Sequence, residues 1–180
     1  MGHLEVLTYE ETDPQAQEIL SALKKKLGKI PNIFAAMAAS PATLKALLTL
    51  KETMGKAELT SQEAEAIALV IGQQNGCDYC LAAHTAIGKM QGLSADEIKK
   101  LRRAESEDEK RKALVVLTQE IVATQGHPRL ELIDAFYAAG YSKAALIALI
   151  GHVAVNIFTN YFNHIAQTPI DFPPADDFEP

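Results

Sequence analysis

The stretch 60–84, TSQEAEAIALVIGQQNGCDYCLAAH, decides the fold. Thr60 followed by Glu63 fits a capping box, the signature of a helix start. The run behind it predicts a helix to about Asn75, where Asn75-Gly76 stops it. A second helix begins at about Cys77 or Asp78 and ends near Gly92.

The same punctuation recurs in both directions. Thr12-Asp13-Pro14 opens a helix to about Leu27, and Gly28 ends it. A short helix is expected near Asn32 to Ala39, and Ser40-Pro41 starts another to about Gly55. Ser94 with Glu97 is a second capping box, for a helix to about Arg103. Residues 108–125 form a further helix before Gly126-His127-Pro128, and two more cover about 129–139 and 142–167, the last capped by Ser142. His127 reads as a loop residue. Strand signals are weak throughout. The expected architecture is all-α, a single-domain helical bundle of about eight helices over residues 1–180. The tail from Pro169 to Pro180 holds four prolines and four acids, so it should be extended or loose.

Composition narrows the function classes. The hydrophobic fraction is 48%, the charged fraction 22% and the net charge −6, ordinary values for a soluble globular protein. The densest basic clusters, Lys24-Lys25-Lys26 and Lys99-Lys100 with Arg102-Arg103, sit near helix ends, where cations suit the dipole. No basic stripe remains for nucleic acid. The N-terminus shows no basic region followed by an apolar run, so no signal peptide is expected and the default location is cytoplasmic. Residues 144–163 carry no full charge, but His152, Asn156, Thr159, Asn160 and Asn163 make them too polar for a lipid-facing span. A helix buried in protein is expected there, with no membrane partner.

The chemistry centres on the chain's two cysteines, which fall together in Cys77-Asp78-Tyr79-Cys80. A lone CxxC in a cytosolic chain is a redox or metal candidate. Its place at the opening of a helix favours redox, because free N–H groups and the positive dipole end stabilise a thiolate. His84, four residues after Cys80, shares its helix face and is placed to take the thiol proton. Glu65 shares a face with Ala68, Leu69 and Gly72 and is the ionisable group on that small-residue stripe. A half-buried carboxylate there needs a partner. Glu63 is the capping acid. His152, Asn156, Asn160 and Asn163 form one polar line on the last helix, as buried hydrogen bonds between helices or subunits, or as a polar wall of the thiol site.

Glu65, eleven intervening residues, Cys77-x-x-Cys80, then three residues and His84 together resemble the signature of the alkylhydroperoxidase D-like (AhpD-like) family, within the carboxymuconolactone decarboxylase superfamily. The words Gln74-Asn75-Gly76 and Ala82-Ala83-His84 resemble its peroxidase-related branch, as do Asn156-Ile157-Phe158-Thr159-Asn160 and Pro169-Ile170-Asp171-Phe172-Pro173. The core of the match covers about residues 55–105.

The resemblance implies an all-helical domain assembled as a homo-trimer or hexamer, and cysteine-based hydroperoxide reduction. By position, Cys80 resembles the peroxidatic cysteine and Cys77 the resolving one. Glu65 and His84 resemble the proton relay that ionises Cys80, partly through water. It also implies a dithiol reductant, of lipoyl type or a peroxiredoxin, and no cofactor: no metal, flavin or haem is required. One departure is Tyr79, where some members carry a second histidine. A phenol with a pKa near 10 is no proton shuttle at neutral pH. Tyr79, His152 and Asn156 are the expected pocket wall.

Four rival readings stand beside this one, the first of them on the same residues. A disulfide reductase or redox adaptor would never meet peroxide in the cell. A zinc module would take Cys77, Cys80 and His84, with His152 or His164 brought near by folding. A lactone decarboxylase is suggested by the superfamily name alone, and its chemistry does not need two cysteines. A pure oligomeric scaffold would use none of them.

Overall fold

The computed structural model describes residues 4–56 and 58–175. Among these the chain is all-α, with a short 3-10 turn at Tyr9–Glu11 and nine α-helices. They are α1 (Pro14–Leu27), α2 (Asn32–Met37), α3 (Pro41–Met54), α4 (Ser61–Gln74), α5 (Asp78–Met90), α6 (Ala95–Arg102), α7 (Glu109–Ala123), α8 (Leu130–Ala138) and α9 (Lys143–Ala166). The expected bundle of about eight helices is what the described residues show: eight of the nine have at least seven residues. The shortest of the nine is the six-residue α2, held by burial of Ile33, Phe34 and Met37 rather than by propensity.

The helix ends follow local chemistry. Asp13 accepts from the Gln15 N–H at 2.7 Å, with Pro14 in the first turn. Thr60 and Glu63 close the capping box of α4, and Ser94 and Glu97 that of α6. Ser142 accepts from the Ala145 N–H to open α9.

Helix α4 is the hub, packed against α5, α6, α7 and α9. One face carries Ile67 and Ile71 into a core with Leu114, Leu117, Phe136 and Leu149. Another carries Ala66, Leu69 and Val70 toward Leu93, Leu101 and Val115. The small stripe lets α5 approach closely: a Cβ added at Gly72 would stand 3.4 Å from Leu81 Cδ2 and 3.7 Å from Cys80 Cβ. The thiols sit in a third apolar group with Leu20, Phe34, Leu44 and Val155.

By length and composition α9 would suffice to cross a membrane, yet half of its most apolar window is buried inside the protein. It packs against α3, α4, α5 and α7. His152, Asn156, Asn160 and Asn163 are all buried, while Ile147, Ile150, Phe158, Tyr161 and Ile165 face outward.

The described part of the tail departs from one of its two expected forms, the loose one. Residues 169–175 are non-helical but not loose. The Tyr79 hydroxyl donates to Asp171 Oδ1 at 2.7 Å, and Lys29 Nζ pairs with Asp171 Oδ2 at 2.9 Å. The Phe172 ring meets Tyr79 edge-on at 5.7 Å and lies under the Lys29 ammonium at 4.1 Å. Proline and charge set the extended backbone; an aromatic, an ion pair and a phenol hydrogen bond fix where it lies. The end of the expected tail, residues 176–180, lies outside the described residues.

Candidate active site

The turn between α4 and α5 places the two cysteines. Gly76, at φ +65°, ends α4 in a left-handed conformation that a glycine adopts without strain. Its N–H donates to the Gln73 carbonyl, and the next N–H, that of Cys77, reaches back to the Gly72 carbonyl at 2.9 Å. This Schellman arrangement satisfies the last carbonyls of α4 and delivers Cys77 as the N-cap of α5. Cys77 Sγ takes the capping role usually played by an oxygen, accepting from the Cys80 N–H at 3.3 Å. The two Cα atoms are 5.2 Å apart and the sulfurs stand at bonding distance, as a disulfide.

Cys80 carries the denser set of donors. Asn160 Nδ2 donates to its sulfur at 3.0 Å and Asn163 Nδ2 at 3.3 Å. Asn163 also reaches Cys77 Sγ, at 3.9 Å. The Asn75 amide donates to Asn160 Oδ1 at 2.9 Å, which fixes the orientation of the Asn160 amide and turns its N–H toward sulfur. Hydrogen bonds to the charged form favour it, so these amides stabilise a thiolate once the disulfide is opened. Cys77 is 1% exposed and Cys80 3%. Of the two, Cys80 lines a cavity of about 500 Å³ walled by Phe34, Ile87, Met90, Phe172 and Tyr79.

His84 lies on the same cavity, one turn beyond Cys80. Its Nδ1 meets Glu65 Oε2 at 2.7 Å, bridging α5 and α4 with both side chains largely enclosed. With the Nδ1 hydrogen given to the carboxylate, Nε2 keeps its lone pair and is the basic nitrogen. Behind this pair lies a second cavity of about 190 Å³, shared by Glu65, His84, His152, Asn156 and Lys51. Burial holds the His152 imidazole below the usual histidine range, aided by the Lys51 charge.

The expected wall therefore divides. Tyr79 lines the thiol cavity, whereas His152 and Asn156 line the rear one. Asn160 and Asn163, further along the same polar line, are the residues on sulfur. Tyr79 is a structural pin: its hydroxyl donates to Asp171 and accepts from the Ile33 N–H at 3.3 Å. Burial and then the Asp171 bond push its pKa well above the ordinary phenol value, further from any shuttle role. Among the described residues no group of three or more His, Cys, Asp or Glu is arranged to hold a metal, and His164 is exposed rather than brought to the thiols. The zinc reading thus finds no ligand set there. Lys51 carries no signal in the sequence beyond ordinary lysine chemistry; Asn75 and Phe172 stand in the words that carry the resemblance, but only the packing gives them a place at the site.

Residues 41–109 match the carboxymuconolactone decarboxylase family. No curated protein sequence matches the chain significantly. Among solved structures, a peroxidase-related protein from Silicibacter sp. TM1040 superposes with a TM-score of 0.83 at 19% identity, over 98% of this chain and 97% of that one. A peroxidase-related protein from Ralstonia eutropha JMP134, described as an alkylhydroperoxidase AhpD core, gives 0.82 at 17% identity, over 97% and 93%. The debrominase Bmp8, in complex with 2,3,4-tribromopyrrole, gives 0.81 at 19% identity, over 95% and 92%. At these identities the likeness establishes the fold.

Proposed function

We propose that the chain, whose residues 41–109 match the carboxymuconolactone decarboxylase family and whose fold is that of AhpD-like proteins, is an AhpD-like thiol-dependent peroxidase working through a Cys77–Cys80 dithiol–disulfide cycle. The observation that carries this reading is the asymmetry of the pair: Cys80 lines the cavity and takes both close asparagine donors, while Cys77 sits behind it as the helix cap.

In the reduced protein, His84 Nε2 takes the Cys80 thiol proton, and the Glu65 carboxylate stabilises the resulting imidazolium. The Cys80 thiolate attacks the outer oxygen of a hydroperoxide. The O–O bond breaks, the leaving alkoxide takes the proton back from His84, and Cys80 becomes a sulfenic acid. The Cys77 thiol then attacks the Cys80 sulfur, water leaves, and the disulfide closes. An external dithiol, of lipoyl type or from a peroxiredoxin, reopens it by exchange and is itself oxidised. The apolar walls of the cavity suit an organic hydroperoxide. The outward apolar face of α9 supports self-association, and the family resemblance makes that a trimer or hexamer in a cytoplasmic setting.

A second reading has its own observation, the likeness to a debrominase. The same pair reduces a bromoarene if Cys80 takes the halogen, the ring carbon takes a proton, and Cys77 expels bromide as the disulfide closes. One experiment separates these: consumption of cumene hydroperoxide, and in parallel bromide release from 2,3,4-tribromopyrrole, with several dithiols and beside Cys80→Ser. Peroxide turnover lost in Cys80→Ser supports the peroxidase. Bromide release without peroxide turnover transfers the assignment to dehalogenation. Exchange with dithiols and neither activity leaves a disulfide reductase or adaptor.

A further inference from the structure

The rear cavity holds a feature that the cysteine cycle does not use. His152 is 8% exposed, and its Nε2 is buried with no partner among the described residues. The Met54 backbone carbonyl faces the same ring as its acceptor. The ring therefore donates through Nδ1 and presents Nε2 as a bare acceptor to the cavity. The titratable groups that face it there are Lys51 from α3, Glu65 from α4 and His84 from α5. Glu65 spends Oε2 on His84. Lys51 is half-buried; burial pushes its pKa below the usual lysine range, and the Glu65 charge pulls the other way. Lys51 also lines the thiol cavity, so it stands at the partition between the two.

These groups have matching needs. His152 Nε2 and the Glu65 carboxylate are acceptors, and the Lys51 ammonium is a donor. A water molecule placed among them donates to Nε2 and to Glu65 and accepts from Lys51. That is three hydrogen bonds, the number a buried water ordinarily makes, in a cavity of about 190 Å³ that has room for it.

We propose that Lys51 and His152 are positioning residues of the thiol site: through a shared water they orient the Glu65 carboxylate and hold it charged, and thereby set the basicity of His84 toward Cys80. The inference rests on the Glu65–His84 relay of the proposed function and adds to it a rear support that the cysteine motif does not contain. The cost of removing it is felt at the thiol, two residues away from either side chain.

The test needs no peroxide. In a Cys77→Ser background, the rate of Cys80 alkylation by iodoacetamide is followed from pH 5 to 10, which reads the thiolate fraction directly. Glu65→Gln fixes the size of the relay. Lys51→Met and His152→Phe are each expected to slow alkylation about fivefold on the acid side of the midpoint, the scale of one lost hydrogen bond. Lys51→Arg and His152→Gln, which keep the donor and the acceptor, should restore most of the rate. In Glu65→Gln, the further changes Lys51→Met and His152→Phe should have no effect, because both act through Glu65. The proposal is overturned if either change leaves the profile of the parent unaltered, if His152→Gln is as slow as His152→Phe, or if Lys51→Met slows alkylation equally with and without Glu65, which would make it a direct charge on the thiol. If Glu65→Gln alone leaves the profile unchanged, it is the relay reading that fails.

Discussion

Glu63 and Glu65 stand two residues apart on α4 and belong to different halves of the molecule. Glu63 is embedded in its own helix end. Oε2 accepts from the Thr60 N–H and hydroxyl, both at 2.8 Å, and Oε1 takes the Tyr141 hydroxyl at 2.6 Å. Tyr141 is in turn stacked on Phe136, at 4.2 Å between ring centres, in the core between α4, α7 and α9. Glu65 has a single described hydrogen bond, to a histidine nineteen residues away on α5, and borders a cavity on its other side. A carboxylate with both oxygens occupied by fixed donors is a structural element. One with a titratable partner and a free oxygen is equipped to pass a proton. The same residue type does both within one helical turn because Glu63 meets Tyr141 while Glu65 meets His84 of α5.

The largest effect should fall on chemistry. Glu65→Gln or His84→Ala should slow peroxide consumption by about 10²–10⁴-fold, the range of a lost general acid–base group. The melting temperature should stay near that of the parent. A loss of stability without loss of rate would erase the contrast with Glu63.

The complementary change comes next. Glu63→Ala removes a cap and strands a buried hydroxyl, so it should destabilise the fold by about 2–4 kcal/mol by denaturant titration. Reactivity of the folded fraction at low temperature should match the parent. The acid limb sharpens this. Burial pushes the Glu63 carboxyl up, but the Tyr141 and Thr60 bonds outweigh it and hold it below the ordinary value. A depressed folded pKa gives stability that is present above the unfolded value of about 4.3 and is lost as the pH falls through the folded one. Glu63→Gln should flatten that limb.

Smaller still, Asn160→Ala should lower the Cys80 thiolate fraction about tenfold on the acid side of its titration, one charge-assisted hydrogen bond. Asn75→Ala, which only orients Asn160, should do less. Alkylation kinetics of Cys77→Ser check both. Last, Tyr79→Phe loses the pin to Asp171 and should cost about 1 kcal/mol, seen as faster amide exchange over residues 169–173.

Much of this was legible in the chain because it is local. Helix starts and stops follow from caps within four residues, and the Cys77, Cys80 and His84 face follows from the helical repeat. Glu65 was distinguishable from Glu63 for the same reason: one fits a capping box and the other interrupts a small-residue stripe. What was not legible depends on how helices far apart in sequence meet. The polar line of α9 is visible, but which members reach sulfur is set by the register of α9 against α5, so Asn160 and Asn163 are separated from His152 and Asn156 only in three dimensions. Lys51 looks like any helix lysine until α3 is laid beside α4. The docked tail depends on a contact between residues 92 positions apart.

That separation has a consequence for the order in which the protein is made. Cys77 and Cys80 emerge from the ribosome with their helix and their histidine. The amides that favour a thiolate are carried 80 and 83 residues behind Cys80, and the Asp171 that pins Tyr79 comes later still. Until those segments arrive, the nascent sulfurs lack the two asparagine donors and the wall that the tail completes. On the proposed cycle, the last hydrogen bonds to the sulfur and its enclosure come together, as one late event of synthesis, from the same helix.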